Sequence, residues 1–537
     1  MSAPSEAPLA AGEPARKLAA GGVIATWARV IVVTLVGIGQ APILFANVPS
    51  SDLGVWYLFY TVAIFINLSD LGLPATLSRA VSYLWGRGRA KAGDGPEIPA
   101  IYRSASIPRL YASAMIATGL LGLAFAAVTF PAALLYFSIA LPGAHPGVAV
   151  PLAIFLLGVV LNLAGAIPGA CLTGAGEVAL DGALKSAANL VGFALVCIFI
   201  PNHRSLLALC VIYTGQGLIA VFTGHFVLQW RRRMARSELR LDVPLVGSLY
   251  RESASMFVSR LGGWLTLEST LLVAGHFMGS SRIADYAVLR QVLTIGASVV
   301  SAIPAAISPH LSAAYSAGES DRVRSLYLAA LRYALVLDVL WILGLLFWAP
   351  RVIGILVDER HFLGRGVLVP LAVGSFLELH ANTHAAFCWA IGRWPFAPYV
   401  VVGGVLNLLL ASLGCAFYGF EGLAWGTLAA QVLSLYWVPV AYGLAQVGVS
   451  LRAYARETLQ RGAVYALVVA GAGFAARGLA SRLHVPAAVG TAARLANIAP
   501  TFVGIAMTTL LAMLAAWPLM LTQGDRAYFL KLLRLRR

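Results

Sequence analysis

The sequence predicts an all-α polytopic membrane protein of about 14 transmembrane helices, built as two pseudo-symmetric six-helix lobes plus two C-terminal helices. Three observations predict it. Of 537 residues, 60% are apolar and only 11% charged, against about 25% charged in soluble domains. The apolar residues gather in runs of roughly 20, the length that crosses a hydrocarbon core. Segments of the first half also recur in the second at a nearly constant offset.

The runs justify themselves in order. The tail Met1–Ala20 is polar and Ala-rich and holds no apolar signal core. The first run, from near Val23, has no cleavage site after it and is expected to stay in the mature chain. The second starts near Leu53 and contains Asp70, Gly72 and Pro74. The next four start near Leu110, Val148, Gly182 and Ser205 and complete an N-lobe over 21–245. The seventh, from near Ser253, carries Arg260 and Glu268; the eighth, from near Ile283, carries Arg290 and Pro304. The ninth starts near Leu326, and the tenth, near Gly366, holds Glu378, His380 and His384. Runs from near Phe396 and Gly422 close a C-lobe over 246–450. Two more, near Gly462 and Asn497, lie in 451–537 with a basic tail. Pro and Gly inside several runs suit membrane helices. An outer-membrane barrel would instead show short alternating segments.

Five cysteines, Cys171, Cys197, Cys210, Cys388 and Cys415, sit singly in apolar runs without C-x-x-C spacing. They read as buried thiols, with no disulfide framework, no metal site and no cofactor. The net charge of +16 is distributed as a membrane protein distributes it. With the N-terminus inside, the inner loops and tails hold 27 Lys and Arg, against 8 in the outer loops. This is the positive-inside bias and places both termini in the cytoplasm. The run Arg231-Arg232-Arg233 and the tail Lys531–Arg537 suit anionic headgroups. Nothing in the pattern suggests nucleic acid.

At offset 230, Pro74-Ala75 falls on Pro304-Ala305 and Ser82 on Ser312. Pro151-Leu152-Ala153 recurs as Pro370-Leu371-Ala372 at offset 219, and Asn189-Leu190 as Asn407-Leu408 at offset 218. An even number of helices per copy makes the repeat parallel, as in many transporters. Pro74 and Pro304 then occupy matching places and are expected to kink their helices.

The run Asp52-Leu-Gly54-Val-Trp56-Tyr57, then Asp70-Leu-Gly72 and Arg79, resembles the second helix of the Wzx-type flippases. These are polysaccharide exporters of the multidrug/oligosaccharidyl-lipid/polysaccharide superfamily. Leu356-Val-Asp358 to Phe362 and Gly392-Arg393 also follow that pattern, and the resemblance spans roughly residues 20 to 450. It implies movement of a polyprenyl-diphosphate-linked oligosaccharide across the bacterial inner membrane, and no enzymatic chemistry. It further implies contact with anionic lipids, a coupling ion such as H+ or Na+, and association with a polysaccharide polymerase or glycosyltransferase complex.

Ionisable side chains inside spanning helices are costly and mark candidate sites. Arg29 and Arg260 each lie about seven residues into their helices, roughly 10 Å deep. Their spacing of 231 nearly matches the repeat, so they are expected to face each other and bind a diphosphate in a cationic cavity. The alternative is that each snorkels to the interface. Arg290 reads equally as a phosphate contact or a snorkelling anchor. Glu268 pairs with Arg290, balances the arginines or takes a coupling ion. His380 and His384 share a helix face and, with Glu378, line the cavity or are packed and hydrogen-bonded. Asp70 caps a helix or pairs with Arg79.

Two rivals remain in view. An ion-coupled multidrug antiporter should carry N-lobe acids, where this chain has only Asp70 and Asp181 at an edge. A membrane glycosyltransferase or polymerase needs a sizeable outer loop with catalytic groups, and none is found.

Overall fold

The computed structural model describes residues 13–87, 105–141, 147–232, 240–391, 393, 396–482, 491–523 and 526. Among them the regular structure is helical throughout. Eleven stretches are long and apolar enough to cross a membrane. One of these, Pro398–Gln446, reverses at Gly419 and supplies two crossings. The seventh and tenth predicted runs, both interrupted by ionisable side chains, are also helices of spanning length. Among the described residues these make 14 helical segments of spanning length, in keeping with the 14 read from hydropathy.

Contacts divide the chain into two compact units. One takes in residues up to Asp52 and Val62–Phe257; the other takes in Leu53–Thr61 and the chain from Val258 onward. The first unit is built from α1 (Glu13–Asn47), the two ends of α2 (Ser50–Asn67), α3 (Leu73–Arg87), α4 (Ile107–Ala140), α5 (Ala149–Gly174), α6 (Val178–His203), α7 (Leu206–Arg232) and the first part of α8 (Val243–Leu267). The second takes the middle of α2 and the rest of α8 from Val258, then α9 (Ser269–Met278), α10 (Ile283–Ser316), α11 (Ser320–Leu356), α12 (Arg365–Ala390), α13 (Ala397–Ala430) and α14 (Trp437–Gln446). It ends with α15 (Leu451–Tyr454), α16 (Gln460–Arg482) and α17 (Thr491–Leu519).

The same packing order serves both units. In the first, α5 packs on α3, α4 and α7, and α1 packs on α6. In the second, α12 packs on α10, α11 and α14, and α9 packs on α13. One pair of side chains shows the correspondence atom by atom. Ser82 Oγ donates to the carbonyl of Ser78 on its own helix and to Gly174 at the end of α5, at 2.8 and 2.9 Å. Ser312 Oγ contacts Ser308 and Ala390 at the end of α12 in the same way, at 3.0 and 2.7 Å. A hydroxyl that bonds both its own turn and a neighbouring helix end ties the two helices together.

Several expectations change. The tail read as Met1–Ala20 is shorter, because α1 already begins at Glu13. The seventh run, read from near Ser253, starts earlier, since α8 begins at Val243. Pro74 does not bend a continuous helix. The break lies just before it, where Leu71 and Gly72 take φ of 49° and 84°. Asp70 Oδ1 accepts from Gly72 N at 2.6 Å and fixes that turn. Pro74 then falls in the first turn of α3, where its missing N–H leaves no helical bond unmade. Pro304 stands inside the unbroken α10. The expectations placed on Gly392 and Lys531–Arg537 lie outside the described residues.

The two added helices pack on each other and on α11. Phe347 and Trp348 of α11 bury against Ala476 and Ala480 of α16. The approach is close, because a Cβ on Gly473 would meet the Phe347 ring at 2.5 Å and one on Gly504 the Trp348 ring at 2.0 Å. Small residues at these points let bulky rings insert between helices.

Candidate functional site

Polar chemistry inside the second unit begins with a broken helix. α8 ends at Leu267 and α9 resumes at Ser269, with Glu268 as the turn between them. Hydroxyls occupy backbone carbonyls around the break: Thr266 Oγ1 donates to Gly262 at 2.9 Å and Ser269 Oγ to Leu265 at 2.6 Å. Asn407 Nδ2 reaches across from α13 to the carbonyls of Leu265 and Thr266, at 3.2 and 2.8 Å. Glycines allow that approach, since a Cβ on Gly262 would lie 2.7 Å from Val400 and one on Gly404 2.6 Å from Leu265. Interrupted membrane helices persist where such partners re-satisfy the backbone.

The break aims Glu268 into a cavity of about 180 Å³. Arg290 from α10 enters the same space and meets Glu268 Oε1 at 3.5 Å, with Thr270 Oγ1 at 3.4 Å from its other terminal nitrogen. Both members of the ion pair are partly exposed, at 19% and 26%. Glu378 from α12 lines the opposite wall with Ser375, Thr427 and Gln431. Gln431 opens a π-helical turn, Gln431–Leu435, a distortion frequent at functional sites. Its Oε1 is buried with no hydrogen-bond partner among the described residues. Thr266, Glu378 and Gln431 also line an adjoining cavity of about 130 Å³, together with Asn382 and Tyr436.

The structure thus brings Glu268, Arg290 and Glu378 together and leaves the other predicted residues elsewhere. Cavities of this size suit water molecules or a hydrated ion rather than a sugar diphosphate. His380 and His384 line neither of them. Both are buried, at 3% and 0% exposure. His384 Nδ1 bonds the hydroxyl of Tyr327, its Nε2 faces His380 Nε2 at 3.3 Å, and that nitrogen meets the Tyr454 hydroxyl at 3.0 Å. The histidine pair is therefore a buried link between α11, α12 and α15. Arg29 belongs to the first unit and is half-buried; Arg260 belongs to the second and is exposed. Among the described residues, no three His, Cys, Asp or Glu side chains are placed to hold a metal ion.

Sequence reasoning missed Asp338. It stands midway along α11 at 1% exposure, and neither carboxylate oxygen has a hydrogen-bond partner among the described residues. The signal was present, as an aspartate in the middle of the apolar run Leu326–Leu346.

No family model and no curated protein matches this sequence. Solved structures do. The lipid II flippase MurJ, in an inward closed conformation, aligns with a TM-score of 0.63 at 13% identity, over 93% of this chain and 99% of that one. An outward-facing multidrug resistance MATE family transporter of the MOP superfamily aligns at 0.59 and 15% identity, over 81% and 96%. A MOP superfamily transporter from Pyrococcus furiosus, described by a binding pocket of reverse polarity, aligns at 0.57 and 15%, over 81% and 96%. At such identities the likeness is one of architecture. The chain is a multi-pass membrane protein with the fold of these flippases and transporters.

Proposed function

We propose that this chain is a flippase for a polyprenyl-diphosphate-linked oligosaccharide, serving export of a surface polysaccharide such as O-antigen, exopolysaccharide or capsule. It would work by alternating access in the bacterial inner membrane, with both termini cytoplasmic. The observation that carries this reading is the reach of the structural likeness. The match to a lipid-linked-substrate flippase extends over 93% of the chain, and the MATE transporters match 81%. The difference is about the size of the segment from Leu451 to Leu519, which adds α15–α17 to the twelve-crossing repeat.

The physical task is to carry a sugar diphosphate past hydrocarbon, where each unsatisfied polar group costs several kcal/mol. In this reading Arg29 and Arg260 are phosphate contacts, their guanidinium forks binding diphosphate oxygens in bidentate fashion. The lipid tail stays in the bilayer. The Glu268, Arg290 and Glu378 cavity takes a coupling H+ or Na+ instead of substrate, in keeping with its volume and its carboxylates. That cavity also supports the second reading, an ion-coupled multidrug antiporter, because an acidic cavity suits cationic cargo.

The test is Arg29→Ala with Arg260→Ala in the native host. Lipid-linked repeat units should accumulate in the inner leaflet and surface polysaccharide should fall at least tenfold. Unchanged polysaccharide, together with new sensitivity to cationic drugs, would favour the antiporter.

A further inference from the structure

Three arginines converge in the second unit outside the cavities described above. Arg351 lies five positions from the end of α11. Arg365 is the first residue of α12, and Arg477 lies five positions from the end of α16. α11 packs on both α12 and α16, and Trp348, three residues before Arg351, is buried against Ala476, the neighbour of Arg477. No carboxylate pairs with any of the three guanidinium groups among the described residues. Arg351 Nη1 is buried with no hydrogen-bond partner. The Arg351 guanidinium lies 5.5 Å from the centre of the Trp348 ring, which is buried in an apolar cluster with Phe347, Ala476 and Ala480 and donates its indole N–H to Thr508 Oγ1 at 3.3 Å. Of the acids in the same region, Asp358 accepts from the backbone of Arg360, and Glu359 and Glu421 lie beside Gly354 and Gly366 without forming an ion pair with the three arginines among the described residues.

Three like charges beside an apolar wall repel one another more than they would in water. A fold tolerates that arrangement when an anion completes it. Guanidinium forks match phosphate oxygens in geometry as well as charge. At 1.5 Å per residue, Arg351 and Arg477 are about 8 Å from their helix ends, close enough for a long guanidinium side chain to reach a headgroup. We propose that Arg351, Arg365 and Arg477 form a binding site for the phosphate of an anionic lipid headgroup, clamped between the second six-helix unit and α16. The site joins the added helices to the transporter core through lipid, and it holds whatever molecule the protein transports.

The test uses full-length protein in neutral detergent and follows thermal unfolding with cardiolipin, with inorganic diphosphate and with neither. Cardiolipin should raise the midpoint of the wild type by about 4 °C, as a ligand well above its dissociation constant does. Arg351→Gln/Arg365→Gln/Arg477→Gln should unfold no lower than wild type without lipid, since repulsion is relieved, and should lose at least three quarters of the shift. Arg322→Gln/Arg324→Gln/Arg452→Gln removes the same charge at exposed positions and should keep the shift. Equal shifts in all three proteins, or equal loss in both variants, overturn the site. A shift with inorganic diphosphate and none with cardiolipin overturns the lipid headgroup. If the triple variant fails to fold, Arg477→Gln alone should lose at least half the shift, and a full shift there overturns the proposal.

Discussion

Tyr111 and Tyr327 stand 216 positions apart in the chain, at matching places near the starts of α4 and α11, and each hydroxyl bonds the Nδ1 of a histidine. The histidines come from different helices. Tyr111 meets His225 on α7, whereas Tyr327 meets His384 on α12. The position on α14 that corresponds to His225 is Gly443, and a Cβ there would lie 2.7 Å from the Tyr327 oxygen. The position on α5 that corresponds to His384 is Pro168. Each unit thus keeps the tyrosine–histidine bond and moves the histidine to a different neighbour.

This relationship predicts how the second unit responds to substitution. Tyr327→Phe removes the only hydrogen-bond partner of His384 Nδ1 given by the structure and should destabilise the protein by about 1 kcal/mol, the scale measured for polar contacts between membrane helices. Gly443→Ala should cost more, because the new methyl meets a fixed hydroxyl with helix backbone behind it. Tyr327→Phe/Gly443→Ala should then cost less than the two single changes added together. Unfolding in mixed micelles checks the order.

A second prediction follows from the serine pair. A Cβ on Gly174 would lie 2.4 Å from the Ser78 carbonyl oxygen, whereas the matching position in the other unit is already an alanine, Ala390. α3 and α5 therefore approach more closely than α10 and α12 can. Gly174→Ala should destabilise by about 1–3 kcal/mol, and Ala390→Gly by less than about 1 kcal/mol. Parallel thermal melts of the two variants would show the asymmetry.

How much of this was legible depended on what each feature required. The fourteen crossings and the duplicated architecture follow from run length and from short matches such as Ser82 with Ser312, because lipid forces helices and a repeat preserves packing contacts. The site was harder to read. Arg290 and Glu268 could be paired from the sequence as one option among several, but the cavity they share depends on the break at Glu268, which no Pro or Gly announces. His380 and His384 have the spacing of a shared face, yet that face meets Tyr327 and Tyr454 from remote segments, and only tertiary packing decides whether a face meets protein or water. Pro74 misled because a proline fits both inside a kinked helix and in its first turn, and the chain turns at Leu71 and Gly72 instead.

The matched asparagines should behave differently. Asn189 Nδ2 donates to Lys185 one turn earlier on its own helix, while Asn407 is fully buried and bridges two carbonyls of α8. Asn407→Ala leaves the broken helix without its partner and should destabilise by about 1–3 kcal/mol. Asn189→Ala should cost a few tenths at most. Hydrogen exchange around residues 264–270 should rise only in the first variant.

The ion pair beside the break gives the last prediction. Removing one member of a buried pair strands the other charge, whereas removing both strands neither partner. Glu268 and Arg290 are partly exposed, so single changes should destabilise less than the 3–5 kcal/mol of a fully buried pair. About 1–2 kcal/mol is expected for Glu268→Gln and for Arg290→Gln. The double variant should recover most of that loss. Transport should separate from stability: if the cavity binds a coupling ion through Glu268, the double variant stays inactive although it folds as well as the wild type. A double variant restored in both transport and thermal stability would make the pair a structural brace, and it would remove the cavity from the transport cycle.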